Sequence, residues 1–180
     1  MKLKNKIVKI LLIAISLIIF LSISVLVYEV TLSSRYSKII KNESQKYNLN
    51  YITVLSLIKT ESNFNKNAKS NKNAVGLMQI KKETALYVAK LYNIENTDLY
   101  NENYNIQIGV AYLDYLTKKF KYEDVVLCAY NAGEGAVSKW IEKGYIENGK
   151  INYVPYVETK NYLSKIQKLK NFYTIFYKTP

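Results

Sequence analysis

The chain reads as an all-α, mainly helical domain carried behind one N-terminal transmembrane helix. Three observations predict this. Apolar residues recur at three- and four-residue spacing through most of the chain after residue 38. Only two prolines occur, Pro155 and Pro180, and regularly spaced hairpin signals are lacking. An uncharged run from Ile10 to Tyr28 follows Lys2, Lys4, Lys6 and Lys9. The full chain has 180 residues, 49% of them hydrophobic, so the part beyond the apolar run suits one domain around one core.

Residues 1–9 form a basic segment expected in the cytoplasm. Residues 10–28 form the expected membrane anchor: at ~1.5 Å per residue they span roughly 28 Å, against a hydrocarbon core of ~30 Å. The run continues past Ser22-Ile23-Ser24, the one weak cleavage candidate, so the anchor is expected to remain uncleaved. Lysines ahead of the run should stay inside, placing the rest of a single-pass protein on the outer, cell-wall side of the cell membrane. No cysteine directly follows the run, which excludes a lipoprotein anchor. Residues 29–37 read as a short polar tether, and 38–180 as the catalytic domain. Helices are expected near 35–47, 51–62, 82–92, 103–120, 122–131, 133–142 and 158–170.

Composition excludes several chemistries. With no histidine and a single cysteine, Ser-His-Asp and Cys-His nucleophilic catalysis are ruled out, as are an ordinary protein zinc site and an internal disulfide. No metal or other cofactor is expected. Cys128, within the apolar run 125–129, reads as a buried, inert thiol. The net charge of +12 favours polyanionic surroundings. The lysines are dispersed, Arg35 is the lone arginine and no nucleic-acid-binding motif is present. Nucleic acid is therefore not an expected partner, and anionic wall polymers or lipid suit the charge better.

Chemistry must then rest on carboxylates, hydroxyls and amides, and one carboxylate stands out. Val54, Leu55, Leu57, Ile58 and Glu61 share one side of the helix expected over 51–62. A carboxylate on an apolar face is costly unless paired, protonated or used. No basic residue precedes Glu61 by three or four positions to pair with it along the helix. Glu61 is thus the candidate general acid, with a pKa raised by burial.

Glu61 also opens the first of four ordered blocks: Glu61-Ser62-Asn63-Phe64, Gly76-Leu77-Met78-Gln79-Ile80, Ala129-Tyr130-Asn131-Ala132-Gly133 and Glu158-Thr159-Lys160-Asn161-Tyr162. Asn105, Gly109, Tyr112, Leu113 and Trp140 fit between and around them. In this order and spacing the blocks resemble the soluble-type lytic transglycosylases, over about residues 40 to 175. The resemblance implies a lysozyme-like fold and cleavage of the MurNAc–GlcNAc bond of peptidoglycan strands, leaving a 1,6-anhydroMurNAc end. It implies Glu61 as acid and then base, with substrate contacts at Ser70, Met78, Gln79, Tyr130, Asn131 and Tyr162. Tyr130 matches the tyrosine whose hydroxyl reaches the catalytic carboxylate, and Tyr162 one lining the same site.

The residues themselves leave other readings open. Ser70 could simply make a turn, Met78 could be core, and Asn131 and Gly133 could shape a turn between helices. Glu158 reads as a pairing or capping residue. Lys81-Lys82-Glu83 departs from the proline-containing turn usual in the family. A hydrolytic muramidase using the same Glu61 and a non-catalytic, membrane-tethered wall-binding scaffold are the alternative functions.

Overall fold

The computed structural model describes residues 2–95 and 97–177. Met1, at the start of the expected basic segment, and residues 178–180, at the end of the expected catalytic domain, lie outside them. The chain falls into two compact units, residues 1–38 and 39–180. Among the described residues there are seven helices and one small hairpin.

Helix α1 (Lys2–Lys46) is long and apolar enough to cross a membrane. Leu12, Ile18, Phe20 and Val25 are each more than half exposed, as expected of side chains with no protein core around them. Residues 29–37, expected as a separate polar tether, are helical too. The hydroxyls of Thr31, Ser34 and Ser37 donate to carbonyls three or four residues back, at 2.8 Å each. These small polar side chains satisfy themselves along the helix instead of interrupting it.

The second unit is built around three buried helices: α2 (Tyr51–Ser62), α4 (Glu102–Phe120) and α5 (Glu123–Ala132). Helix α2 begins where Asn50 accepts a hydrogen bond from the Thr53 amide. It ends at Asn63, whose left-handed φ of 53° lets its N–H return to the Lys59 carbonyl. Ile52, Val54, Leu55, Leu57 and Ile58 are all buried, so α2 is apolar nearly all round, as a central helix must be. Helix α4 starts at an Asn101 cap and buries Ile106, Ile108, Val110, Leu113 and Leu116. Helix α5 buries the whole run Val125–Ala129. Burial pushes the Cys128 thiol up to about 12, which makes it unreactive.

The remaining elements cover these three. Helix α3 (Lys82–Tyr92) packs on α4, α6 (Glu134–Glu142) on α5, and α7 (Val157–Phe176) on both α2 and α5. Helix α7 runs six residues past its expected end at 170. Strands β1 (Ile146–Glu147) and β2 (Lys150–Ile151) form an antiparallel hairpin, a small addition to the mainly helical architecture. Its turn is Asn148-Gly149, both at positive φ (49° and 81°). That dipeptide is a local hairpin signal, overlooked because no long alternating strand flanks it.

Between α2 and α3 the chain from Asn63 to Lys81 folds as an irregular loop. Val75 bridges to both Lys69 and Ile80, drawing it into a compact double turn. Buried Asn105 of α4 pins this loop: its Oδ1 accepts from Met78 N at 2.8 Å, and its Nδ2 donates to Val75 O at 3.0 Å and Leu99 O at 2.8 Å. Gly76 makes room for that contact. It sits at φ 81°, and a Cβ there would fall 2.1 Å from Asn105 Nδ2. Gly109 lets the loop lie on α4, since a Cβ would meet Met78 Sδ at 2.4 Å.

Replacing Asn105 by alanine should therefore strand one buried N–H and two buried carbonyls. We expect a loss of about 3 kcal/mol or more, read as a drop of several degrees in Tm with secondary structure retained. An unchanged Tm would contradict this account of the loop.

Candidate active site

Glu61 is the penultimate residue of α2. The buried stripe leading to it fixes the helix in the core, so the carboxyl is delivered on a rigid rod. It opens onto a groove of about 330 Å³. Burial pushes its pKa up from 4.5 to about 7. Its place at the negative end of the helix dipole acts in the same direction.

Three side chains of α7 address this carboxyl from one face, at spacings of four and three residues. The Tyr162 hydroxyl donates to Glu61 Oε1 at 2.6 Å, which favours the ionised form. Lys165 donates to the Thr60 carbonyl at 3.2 Å, beside Glu61, and its charge also lowers the pKa. The Glu158 carboxylate raises it. Burial outweighs the two opposing groups.

Of the residues singled out in the sequence, Glu61, Ser70, Gln79, Tyr130 and Asn131 line the groove together. The Ser70 hydroxyl accepts from the amides of Lys72 at 3.2 Å and Ala74 at 3.0 Å. It therefore does make a turn, yet both bonds use its oxygen as acceptor and leave the hydroxyl proton free to donate. Gln79 has a left-handed backbone (φ 49°). Its Nε2 donates to the carbonyls of Ala68 at 3.1 Å and Gly76 at 3.0 Å. Those two acceptors fix the amide orientation and leave Oε1 as the atom available to a ligand. Asn131 Oδ1 accepts from buried Thr159 at 2.7 Å, which ties the end of α5 to α7. Gly133 ends α5 and starts α6 at φ 89°, the turn-shaping part open for it in the sequence.

Expectations change for three residues: Met78, Tyr130 and Tyr162. Met78 is wholly buried against Gly109, so its side chain packs the core and offers no wall to a ligand. The expected partnership of Tyr130 with the carboxylate belongs to Tyr162 instead. Tyr130 donates to the Met78 carbonyl at 2.9 Å, bracing the loop that carries Gln79. It stays near enough for Glu61 to help raise its phenol pKa, chiefly a consequence of burial. Tyr162 itself is only 8% exposed and lies beneath Glu61, away from the groove lining.

The sequence reading missed a pair across the groove. Lys72, from the loop, meets Glu158 at 3.4 Å, both side chains being largely exposed. It also missed Lys165, which helical spacing from Tyr162 could have indicated. Among the described residues no cluster of His, Cys, Asp and Glu could hold a metal ion.

Fold and groove together define a lysozyme-like helical domain. Residues 38–153 match the family model described as the Transglycosylase SLT domain, and the chain belongs to that family. It is 33% identical over 147 residues to "Membrane-bound lytic murein transglycosylase E" of Buchnera aphidicola, covering 74% of this chain and 65% of that protein. It is 30% identical over 170 residues to "Membrane-bound lytic murein transglycosylase C" of Histophilus somni, covering 79% of this chain and 47% of the relative. The crystal structure of the 70 kDa soluble lytic transglycosylase of Escherichia coli has a similar fold. Its TM-score is 0.72 at 28% identity, over 78% of this chain and 24% of that one. The chain thus spans less than two thirds of the length of each of these relatives.

Because the Tyr162 hydroxyl stabilises the ionised carboxyl, Tyr162→Phe should raise the Glu61 pKa beyond about 7. An NMR titration of labelled glutamate carboxyls would read this. A lowered value would contradict the geometry described.

Proposed function

We propose that this chain is a peptidoglycan lytic transglycosylase, acting on the MurNAc–GlcNAc bond with Glu61 as acid and then base. The observation that carries the reading is Glu61 itself, a carboxyl raised to about 7 by burial and opening onto the groove. Near neutral pH such a group holds its proton about half the time, whereas an ordinary glutamate almost never does. It delivers that proton to the glycosidic oxygen as the C1–O bond breaks. The muramic N-acetyl carbonyl steadies the electron-poor C1. Glu61, now a carboxylate, takes the proton from the C6 hydroxyl of the same sugar, whose oxygen closes on C1. The enzyme returns to its starting state, no water is consumed and the product carries a 1,6-anhydro ring.

Other groove residues have parts that suit this chemistry. The free Ser70 proton suits the N-acetyl carbonyl, and Gln79 Oε1 and the Asn131 side chain suit sugar hydroxyls and amide N–H groups. Ordinary glycosidases flank the bond with two carboxyl groups. The groove's second carboxylate, Glu158, is exposed and ion-paired with Lys72, which favours a substrate that supplies its own nucleophile. The names of the relatives support the activity, and a 70-kDa soluble lytic transglycosylase of similar fold has also been solved in complex with bulgecin A.

Residues 10–28 of α1 then serve as a single membrane anchor, with the lysines before that run in the cytoplasm and residues 38–180 on the wall side, tethered through 29–37. The membrane-bound relatives and the apolar length of α1 support this placement. The charge of +12 adds attraction to anionic wall polymers, which salt should weaken.

Incubating the detergent-solubilised chain with purified peptidoglycan should release muropeptides lighter by one water than hydrolysed ones. Hydrated products would establish the muramidase reading instead. Glu61→Gln should still bind glycan but release no soluble fragments. If it released them as fast as the parent, Glu61 would not be the catalyst.

Activity should decline as pH rises through about 7, where Glu61 loses its proton. The same shift affects stability. The folded pKa lies above the unfolded one, so stability is fully present below about 4.5 and is lost as pH rises through about 7. Glu61→Gln removes this dependence. Its unfolding free energy relative to the parent, read from denaturant titrations, should be higher at pH 8 than at pH 5 by an amount on the order of 2 kcal/mol.

A further inference from the structure

The groove lining ends on α3 at Thr84, on α4 at Tyr112 and at the α5–α6 junction at Gly133. One helical turn onward stand Tyr87 on α3 and Tyr115 on α4, and the residue after Gly133 is Glu134. The rings of these helices form a continuous row. Tyr112 is tilted on Tyr130 at 5.3 Å between centroids, Tyr115 stacks on Tyr112 at 6.3 Å and 14°, and Tyr87 meets the edge of Tyr115 at 5.5 Å. Tyr130 and Tyr112 belong to the groove, while Tyr115 and Tyr87 lie beyond it.

The far end of the row is also held in place. The Tyr115 hydroxyl donates to Glu134 Oε2 at 2.9 Å, and Lys119 pairs with the same oxygen at 2.5 Å. Tyr87 is 50% exposed. No step of the proposed chemistry uses any of these four residues, and the hydrophobic core does not need a half-exposed tyrosine.

We propose that Tyr87 and Tyr115, with Glu134, form an additional saccharide subsite that continues the groove and receives a further pyranose ring of the same glycan strand. The proposal rests on the glycan-binding reading of the groove. Continuity carries the argument: the row starts on two groove tyrosines and runs outward along adjacent helices, as a linear polymer must. The chemistry fits a sugar. A pyranose presents C–H groups of slight positive charge on its flat face, which meet the electron-rich face of a tyrosine. Its rim presents hydroxyl and amide protons, which need an acceptor such as Glu134 Oε1. The tilts along the row suit successive rings that rotate relative to one another. Such a subsite makes the protein prefer long strands to short ones.

The test uses the full detergent-solubilised chain carrying Glu61→Gln, so that glycan is bound and not consumed. Calorimetric titrations employ peptide-free MurNAc–GlcNAc oligomers of two lengths, one of four sugars and one of eight. Adding Tyr87→Ala should weaken binding of the longer oligomer by roughly threefold to tenfold, the worth of one aromatic contact, and leave the shorter one unaffected. Tyr87→Phe should restore the preference, because it keeps the ring. Equal affinities with and without Tyr87→Ala for the longer oligomer, or an equal loss for both, would overturn the subsite. The two readings also fail separately. Length-dependent binding through Tyr87 in a chain whose parent form releases no anhydro product would keep the subsite and remove the enzyme. Normal anhydro release with no effect of Tyr87→Ala would do the reverse.

Discussion

The withdrawal of one carboxyl group from water governs the rest of this domain. Glu61 ends a helix whose neighbouring side chains form the core, so the packing that stabilises the fold also removes solvent from the carboxyl. Desolvation alone would drive the proton affinity upward until the group could no longer release its proton at neutral pH. Helix α7 limits this. It places a hydroxyl at Tyr162 and an ammonium at Lys165 on the face that meets Glu61, and both favour the ionised form. The outcome near 7 is a balance between core burial and one polar stripe. A group that must give and then recover a proton works best when neither form is strongly preferred.

The loop between α2 and α3 is the second half of the arrangement, and it is rigid for reasons unrelated to regular secondary structure. Asn105 spends its amide on three backbone groups of the surrounding chain. Gly76 and Gly109 provide the clearance, and Tyr130 closes the far side through the Met78 carbonyl. Gln79 is held in a left-handed conformation with both amide protons committed to carbonyls. A side chain so constrained presents one acceptor in one direction. Orientation of that kind has little entropy left to lose when a ligand arrives.

Much of this was legible in the sequence, and the limits are physical. The 3.6-residue period located α2 to α6 within a residue at each end, because their buried faces are nearly uninterrupted, but it missed the last six residues of α7 and the continuity of α1. Glu61 was legible for the same reason, as a charge where the period demanded an apolar residue. Which tyrosine touches it was not legible. Half-buried Tyr130 and buried Tyr162 both lie beside Glu61, and only the relative rotation of α5 and α7 decides between them. Met78 shows the same limit: its carbonyl meets Tyr130 while its side chain turns into the core, in the space left by the missing Cβ of Gly109 on α4. Residues 29–37 read as a short polar tether, and α1 runs through them. Serine and threonine hydroxyls that bond back along the helix carry no signature in composition alone. The Lys72–Glu158 pair joins residues 86 positions apart, beyond the reach of any local pattern.

That pair bears on why a single acid would suffice. Glu158 and Glu61 line one groove, and a two-carboxylate mechanism would ask one to hold a proton while the other activates water or attacks C1. Their surroundings differ sharply. Glu61 is enclosed by core and touched by one hydroxyl, whereas Glu158 stands in solvent at the first turn of α7 and faces Lys72. An exposed ion pair of this kind contributes little to stability, so its presence needs a different reason from folding. Its charge raises the proton affinity of Glu61. Glu158 therefore bears on Glu61 as a neighbouring charge.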